Sequence, residues 1–275
     1  MSKSFYNTIA SLRSYFLFVL LGFTNSGYLM AQSNENSGNM LVHQINSSED
    51  NPRNSEGDFI ELKDGRILFV YSRFIGGSGS DHAPAQLVGR YSADEGISWT
   101  KDDQVIVDKE GDMNVMSVSL LRLKNGKIAL VYARKNSLSD CIPQLRLSED
   151  EGKTWTDPKA IIQDRRGYFV INNDRIVQLK SGRILVPVSL HKTPEIPWKN
   201  KGTIQCYYSD DNGLSWHAGD SVLTPDSIIT QEPGLLELKR GKLMVYMRAS
   251  GGTQYQSFSE DEGLTWTMAE PAAIP

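Results

Sequence analysis

Four positions in this 275-residue chain carry a side chain able to hold an anion at a recurring place: Arg73, Arg134, His191 and Arg248. They lie eight residues beyond Gly65 and Gly126, nine beyond Gly182 and seven beyond Gly241. One such arginine would mean little. A set near the same end of successive strands reads as a shared anion-binding funnel, because a guanidinium fork matches the two oxygens of a carboxylate. A second set lies six residues before the leucine that precedes each of those glycines: Glu56, Ser117, Asn173 and Glu232. All four are polar in a register that otherwise leads into apolar strand. Repeat symmetry places them at equivalent points, at the mouth of the innermost strands. Asn172-Asn173-Asp174-Arg175 adds hydrogen-bonding groups at that rim.

The elements that position these residues repeat as well. Four segments share one turn: Ser92–Trp99, Ser148–Trp155, Ser209–Trp216 and Ser259–Trp266, each reading Ser-x-Asp-x-Gly-x-Ser/Thr-Trp. The aspartates, Asp94, Asp150, Asp211 and Asp261, follow one another at intervals of 56, 61 and 50 residues. Each carboxylate can accept backbone N–H groups of its own turn, and the glycine takes the positive-φ position. Before each box comes a second hairpin with a turn glycine: Leu62–Arg66, Leu123–Lys127, Leu179–Arg183 and Leu238–Lys242. The runs after these turns (ILFVYSR, IALVYAR, ILVPVSL, LMVYMR) are apolar and rich in strand formers. Each repeat therefore reads strand, glycine turn, strand, loop, strand, box turn, strand, which is a four-stranded propeller blade. The blades fall at about 55–101, 113–157, 170–218 and 228–268. The boxes themselves read as structural, on the outer edge of each blade.

Composition excludes some functions. Lys3 and Arg13 precede an apolar run from Tyr15 to Phe23, too short to span a bilayer comfortably. Residues 1–31 read as a signal peptide, which implies a secreted or periplasmic protein with no stable membrane insertion after cleavage. Residues 32–52 read as a polar leader and residues 53–275 as the folded domain. Of 29 basic and 33 acidic residues, loss of the signal peptide removes two basic ones, so the remaining chain carries 27 − 33 = −6 and no basic stripe for nucleic acid. Cys141 and Cys206 read as buried thiols. The four histidines, His43, His82, His191 and His217, lack ligand spacing, so no metal site and no cofactor is indicated, with loop-bound calcium left open.

The boxes and the residues between them resemble the sialidase (neuraminidase) superfamily, in its exo-α-sialidase-like bacterial branch, over about residues 53–275. The resemblance implies an all-β fold of the six-bladed sialidase type, with about four blades present here, and a sialoglycan or related acidic glycan as substrate. It implies a funnel in which three arginines meet the sialic acid carboxylate, an aspartate acts as acid and base, and a tyrosine activated by a glutamate is the nucleophile. Asp81, in Asp81-His82-Ala-Pro-Ala-Gln-Leu-Val-Gly-Arg90, matches the acid/base loop, with His82 beside it. Glu232 matches the activating glutamate and Arg248 one carboxylate-binding arginine. Arg73, Arg134, Glu56, Asn173, Asp174 and Arg175 are the further substrate-contact candidates. Two departures stand out. The slot of the family's first arginine holds Glu56 or Gly57, with Arg53 and Arg73 nearby. The third arginine and the nucleophilic tyrosine have no counterpart, since Tyr255 reads as packing; a six-blade protein truncated after Pro275 fits better than a four-blade ring. Two other readings stay open: a glycan-binding propeller without hydrolysis, and a hydrolase or lyase for another acidic sugar, with His82 or His191 as base.

Overall fold

The structure is a computed structural model that describes residues 43–239 and 241–273. The expected signal peptide lies outside the described residues, as does the first part of the polar leader. Among the described residues the chain is all strand and turn, with no helix. None is therefore long and apolar enough to cross a membrane.

Four antiparallel meanders follow one another. The first is β1 (Asn54–Glu61), β2 (Ile67–Phe74), β3 (Ala85–Ser92) and β4 (Gln104–Val107). The second is β5 (Asn114–Arg122), β6 (Ile128–Ser137), β7 (Asp140–Ser148) and β8 (Lys159–Ala160). In the third, the innermost strand is broken into β9 (Tyr168–Val170) and β10 (Val177–Gln178), which both pair with β11 (Ile184–Lys192); β12 (Thr203–Ser209) and β13 (His217–Ala218) complete it. The fourth is β14 (Thr230–Lys239), β15 (Lys242–Ala249), β16 (Tyr255–Ser259) and β17 (Glu270–Pro271). A single parallel pairing, Cys141 with Tyr168, joins the second and third meanders into one sheet.

The four box turns share one bonding pattern. The serine hydroxyl accepts the glycine amide at 2.8 to 2.9 Å and donates to the aspartate at 2.7 to 3.0 Å. The second aspartate oxygen accepts the closing Ser or Thr hydroxyl at 2.5 to 2.6 Å. In Asp150 those hydrogen bonds, first the Thr154 hydroxyl and then its amide, hold the carboxyl down at about 2. Two successive residues take positive φ in each turn, not the glycine alone: Glu95, Glu151, Asn212 and Glu262 lie at 58° to 62°, and the glycines after them at 80° to 88°.

Each later box also docks on the meander before it. Gly152 lies against Leu68, Gly213 against Leu145, and Gly263 against Leu185. The Glu151 carboxylate accepts the Lys63 amide at 2.9 Å and pairs with Arg122 at 2.7 Å. Apolar clusters fill the spaces between neighbours. Leu68, Val70, Leu120 and Tyr132 join the first and second meanders. Phe74, Val131, Phe169 and Val186 join the first three, and Leu185, Cys206, Leu243 and Tyr255 the last two. Tyr255 thus packs as its sequence context suggests. Both cysteines are buried and unpaired.

The docking contact is testable against a control turn. Gly65 and Gly213 share positive φ, at 83° and 88°, but a Cβ meets nothing within 4 Å at Gly65 and would sit 2.4 Å from Leu145 Cδ2 at Gly213. Gly65→Ala is expected to cost about 1 kcal/mol from the left-handed backbone alone. Gly213→Ala adds an overpacking cost, for about 3 kcal/mol in total. Urea unfolding midpoints measure both; equal losses would remove the docking role.

Candidate functional site

The site begins with three bulges. Pairing slips between Ser55 and Asp58 in β1, between Met116 and Ser119 in β5, and between Gln231 and Pro233 in β14. Each slip holds a non-glycine residue at positive φ: Glu56 at 52°, Ser117 at 64° and Glu232 at 50°. The fourth is Asp174 at 52°, one residue beyond the Asn173 that the sequence count selects, because the third innermost strand is interrupted there. A left-handed residue of this kind costs about 1–2 kcal/mol, so the fold holds all four against local preference.

The bulges surround a cavity of about 380 Å³. Glu56, Asp81 and His82 line it from the first meander, and Glu232 and Arg248 from the fourth. Five of the ten residues named as catalytic or substrate-contact candidates thus meet in one place, and Ser117, Asn172 and His191 line it as well. Arg73, Arg134, Asn173, Asp174 and Arg175 do not line it.

Strand parity explains the two arginines. Ser72, Ala133 and Arg248 stand opposite the residue preceding each bulge, as the partners of Ser55, Met116 and Gln231. Arg248 is therefore equivalent to Ser72 and Ala133, and Arg73 and Arg134 come one residue later. A one-residue offset turns a side chain to the opposite face. Arg73 instead lies 3.3 Å from Asp103, which also takes Arg90 at 2.6 Å and the Tyr71 hydroxyl at 2.7 Å. Arg134 runs alongside Gly111. Two residues past Ala133 and Ser189, on the cavity-facing parity, are Lys135 and His191, and both line the cavity.

Asn173 to Arg175 form a tie between meanders. The Asn173 side-chain amide donates to the Gly57 carbonyl at 3.1 Å, and the Asp174 amide to the Val118 carbonyl at 3.0 Å. The Arg175 amide donates to the Ser119 hydroxyl at 3.0 Å, while its guanidinium bonds the Tyr246 hydroxyl. Beneath this tie Asp58 is buried. Its carboxylate accepts the Leu120 amide at 2.6 Å and the Phe59 amide at 2.7 Å. Burial nevertheless pushes Asp58 up to about 6, with the charge of Asp174 adding to the rise and the two amides opposing it.

The cavity's charges are mostly paired. Arg53 Nη1 lies 2.5 Å from Asp81 and holds that carboxyl below its usual range, against a smaller opposing effect of burial. The same guanidinium stands 3.6 Å from Glu56, whose other oxygen accepts the Ser117 hydroxyl at 2.7 Å. Arg53 therefore places a guanidinium beside both Asp81 and Glu56, without itself lining the cavity. Glu232 and Arg248 pair at 2.7 Å. The Asp81 carbonyl accepts Lys135 Nζ at 2.6 Å and Asn114 Nδ2 at 2.9 Å. His191 stacks on Trp198, with ring centroids 4.8 Å apart, and burial lowers its pKa, which favours the neutral ring at pH 7. Three carboxylates facing one cavity, each paired with a neighbouring cation, form an arrangement suited to proton transfer on a polar ligand. Among the described residues no cluster of His, Cys, Asp or Glu could hold a metal ion.

Sequence reasoning missed Lys135, Tyr168 and Trp198, which line the cavity. The signal for Lys135 was present, because it follows Arg134 on the opposite parity. Trp198 sits in a loop and Tyr168 on a three-residue strand, and neither carries a periodic cue.

Comparison with known proteins gives a consistent result. A family model described as BNR repeat-like domain matches residues 90–275. A sialidase from Paraclostridium sordellii is 26% identical over 234 residues, covering 76% of this chain and 56% of that protein. A protein of unknown function from Dyadobacter fermentans DSM 18053 superposes with a TM-score of 0.70 at 22% identity, over 84% of this chain and 71% of that one. The NanB sialidase from Streptococcus pneumoniae does so with a TM-score of 0.64 at 14% identity, over 85% and 54%. The structural likenesses show a shared fold. The chain spans little more than half the length of the two sialidases.

Asp58 makes the tie between meanders sensitive to pH. Its folded pKa near 6 exceeds its unfolded value, so the fold prefers the protonated form. Stability from this group is fully present below about pH 4, declines as pH rises to about 6, and is level above that. Asp58→Asn should lack this decline, so the variant gains on the parent between about pH 4 and 6. Urea midpoints across that range test it; parallel profiles would refute the assignment.

Proposed function

Because this chain belongs to the BNR repeat-like domain family, within the sialidase superfamily, we propose that it forms blades of a six-bladed β-propeller sialidase that removes terminal sialic acid, or a related acidic sugar, from glycans outside the cytoplasm. The supporting observation is the cavity that unites Asp81 and His82, from the first meander, with Glu232 and Arg248, from the fourth. The apolar run behind Lys3 and Arg13 supports export.

In this reading Asp81 protonates the leaving oxygen and then takes a proton from water. Glu232 polarises the nucleophile, and Arg248 faces the substrate's carboxylate. Catalysis rests on stabilising an oxocarbenium-like transition state. Arg53 keeps Asp81 ionised in the free site, so the base half of its role is ready. The acid half requires that ion pair to loosen as substrate enters.

One observation favours a second reading. Arg53 and Arg248 are each engaged by a protein carboxylate, which suits a propeller that binds glycans without cleaving them. Turnover separates the two. In the natural full-length protein, Asp81→Asn and Glu232→Gln are each expected to lower hydrolysis of an aryl α-sialoside by about 100-fold or more, with unchanged unfolding transitions. Full activity in both variants overturns the assignment of these residues, and saturable glycan binding without product by the parent establishes the second reading.

A further inference from the structure

We propose that Lys135 receives the carboxylate of the bound sugar from the side opposite Glu232-paired Arg248, and so sets the preference for an acidic sugar over its neutral ester. The proposal rests on reading the cavity as a glycan site.

The inference starts from supply and demand among the cavity's cations. Arg53 is shared by Asp81 and Glu56, and Arg248 is paired with Glu232. Arg73 and Arg134 face away from the cavity. Lys135 faces into it and is 3% exposed, yet it takes part in none of the ion pairs among the described residues. Its immediate neighbours are a carbonyl, a ring nitrogen, a sulfur and an aromatic face. Nζ lies 2.6 Å from the Asp81 carbonyl, 3.5 Å from His82 Nδ1, 3.7 Å from Met116 Sδ and 5.6 Å from the centroid of Tyr168. A buried ammonium with no carboxylate in ion-pair contact is costly to hold. Burial lowers its pKa, and the more distant charges of Asp81 and Glu56 oppose that fall without cancelling it. An ammonium is a compact point charge with three donors, and only one is committed here at short range, to the Asp81 carbonyl. A ligand carboxylate entering the cavity would supply the missing charge.

Asn114 makes the idea separable from a scaffolding role. Its Nδ2 holds the same Asp81 carbonyl at 2.9 Å and the Ala83 carbonyl at 2.8 Å. The Asp81 loop therefore keeps two bonds when the ammonium is removed.

Calorimetric titration of the natural full-length protein tests the proposal with two ligand pairs: methyl α-N-acetylneuraminide and methyl β-D-glucuronide, each against its methyl ester. For the preferred sugar, the parent is expected to bind the acid at least about 10-fold more tightly than the ester. Lys135→Met should abolish that ratio by weakening the acid alone, and Lys135→Arg should restore part of it. A Lys135→Met protein that keeps the ratio, or that loses acid and ester equally, overturns the proposal. So does a parent that shows no acid preference in either pair. If the ratio collapses in Lys135→Met only for the glucuronide pair, Lys135 stands as the anchor and the sialidase reading fails. Sialoside turnover by a Lys135→Met protein that retains its acid preference leaves that reading intact and removes the anchor.

Discussion

Glu56, Ser117 and Glu232 each insert one left-handed residue into an innermost strand, and the cavity depends on that insertion. In a regular strand, side chains alternate between faces, so a count along the sequence fixes which ones meet. The inserted residue resets the count at each cavity mouth. The partner strand runs on unbroken, so Arg248, five residues past Leu243, shares a face with Ser72 and Ala133, five past Ile67 and Ile128, while Arg73 and Arg134 turn to the other face. Two residues further along the second strand, the same face carries Lys135 and His191 into the cavity. The polar character of the bulge residues follows from their place, because their backbone leaves the ladder and their side chains meet one another. Glu56 accepts from Ser117, and both stand beside Arg53 or the cavity.

Two sets of contacts hold the meanders in the relation that the bulges need. At the outer edge, each later box presses its glycine against a leucine of the preceding meander. At the inner edge, Asn173 to Arg175 reach the first, second and fourth meanders through backbone and side-chain hydrogen bonds. Asp58 lies under that inner tie as a buried carboxyl whose protonated form the fold prefers. The charged residues of the cavity are therefore carried on rigid strands and held from both sides. What remains adjustable is the pairing among Arg53, Asp81, Glu56, Glu232 and Arg248, which bond mostly to one another.

The parts of this arrangement legible in the sequence are the ones made by short-range bonds. A box turn closes within eight residues, so its serine, aspartate and glycine announce it wherever it occurs. The glycine hairpins are equally local. Glu232 could be placed near one end of the fold because it keeps a fixed distance from such a turn, whereas Asp81 was reached through the family resemblance of its loop. The bulges were not legible, since a bulge is a property of two paired strands and leaves no mark in one of them alone. Parity on the second strands was: Arg248 stands seven residues past its turn glycine and Arg73 and Arg134 eight, while Lys135 and His191 both stand nine past theirs. The register count fell on Asn173 and not on Asp174, the left-handed residue, because the third innermost strand is interrupted there. Trp198 could not be placed at all, because only the folded loop brings it over His191.

The order of contacts along the chain has a consequence for how the protein is made. Within each meander the box comes late, and the surface that it grips belongs to the meander already completed. A chain leaving the ribosome N-terminus first thus delivers every new sheet together with a clasp for its finished neighbour. At roughly 5–20 residues per second, a clasp emerges every few seconds. Wherever the chain folds, exposed sheet faces can be covered in the order in which they appear along it.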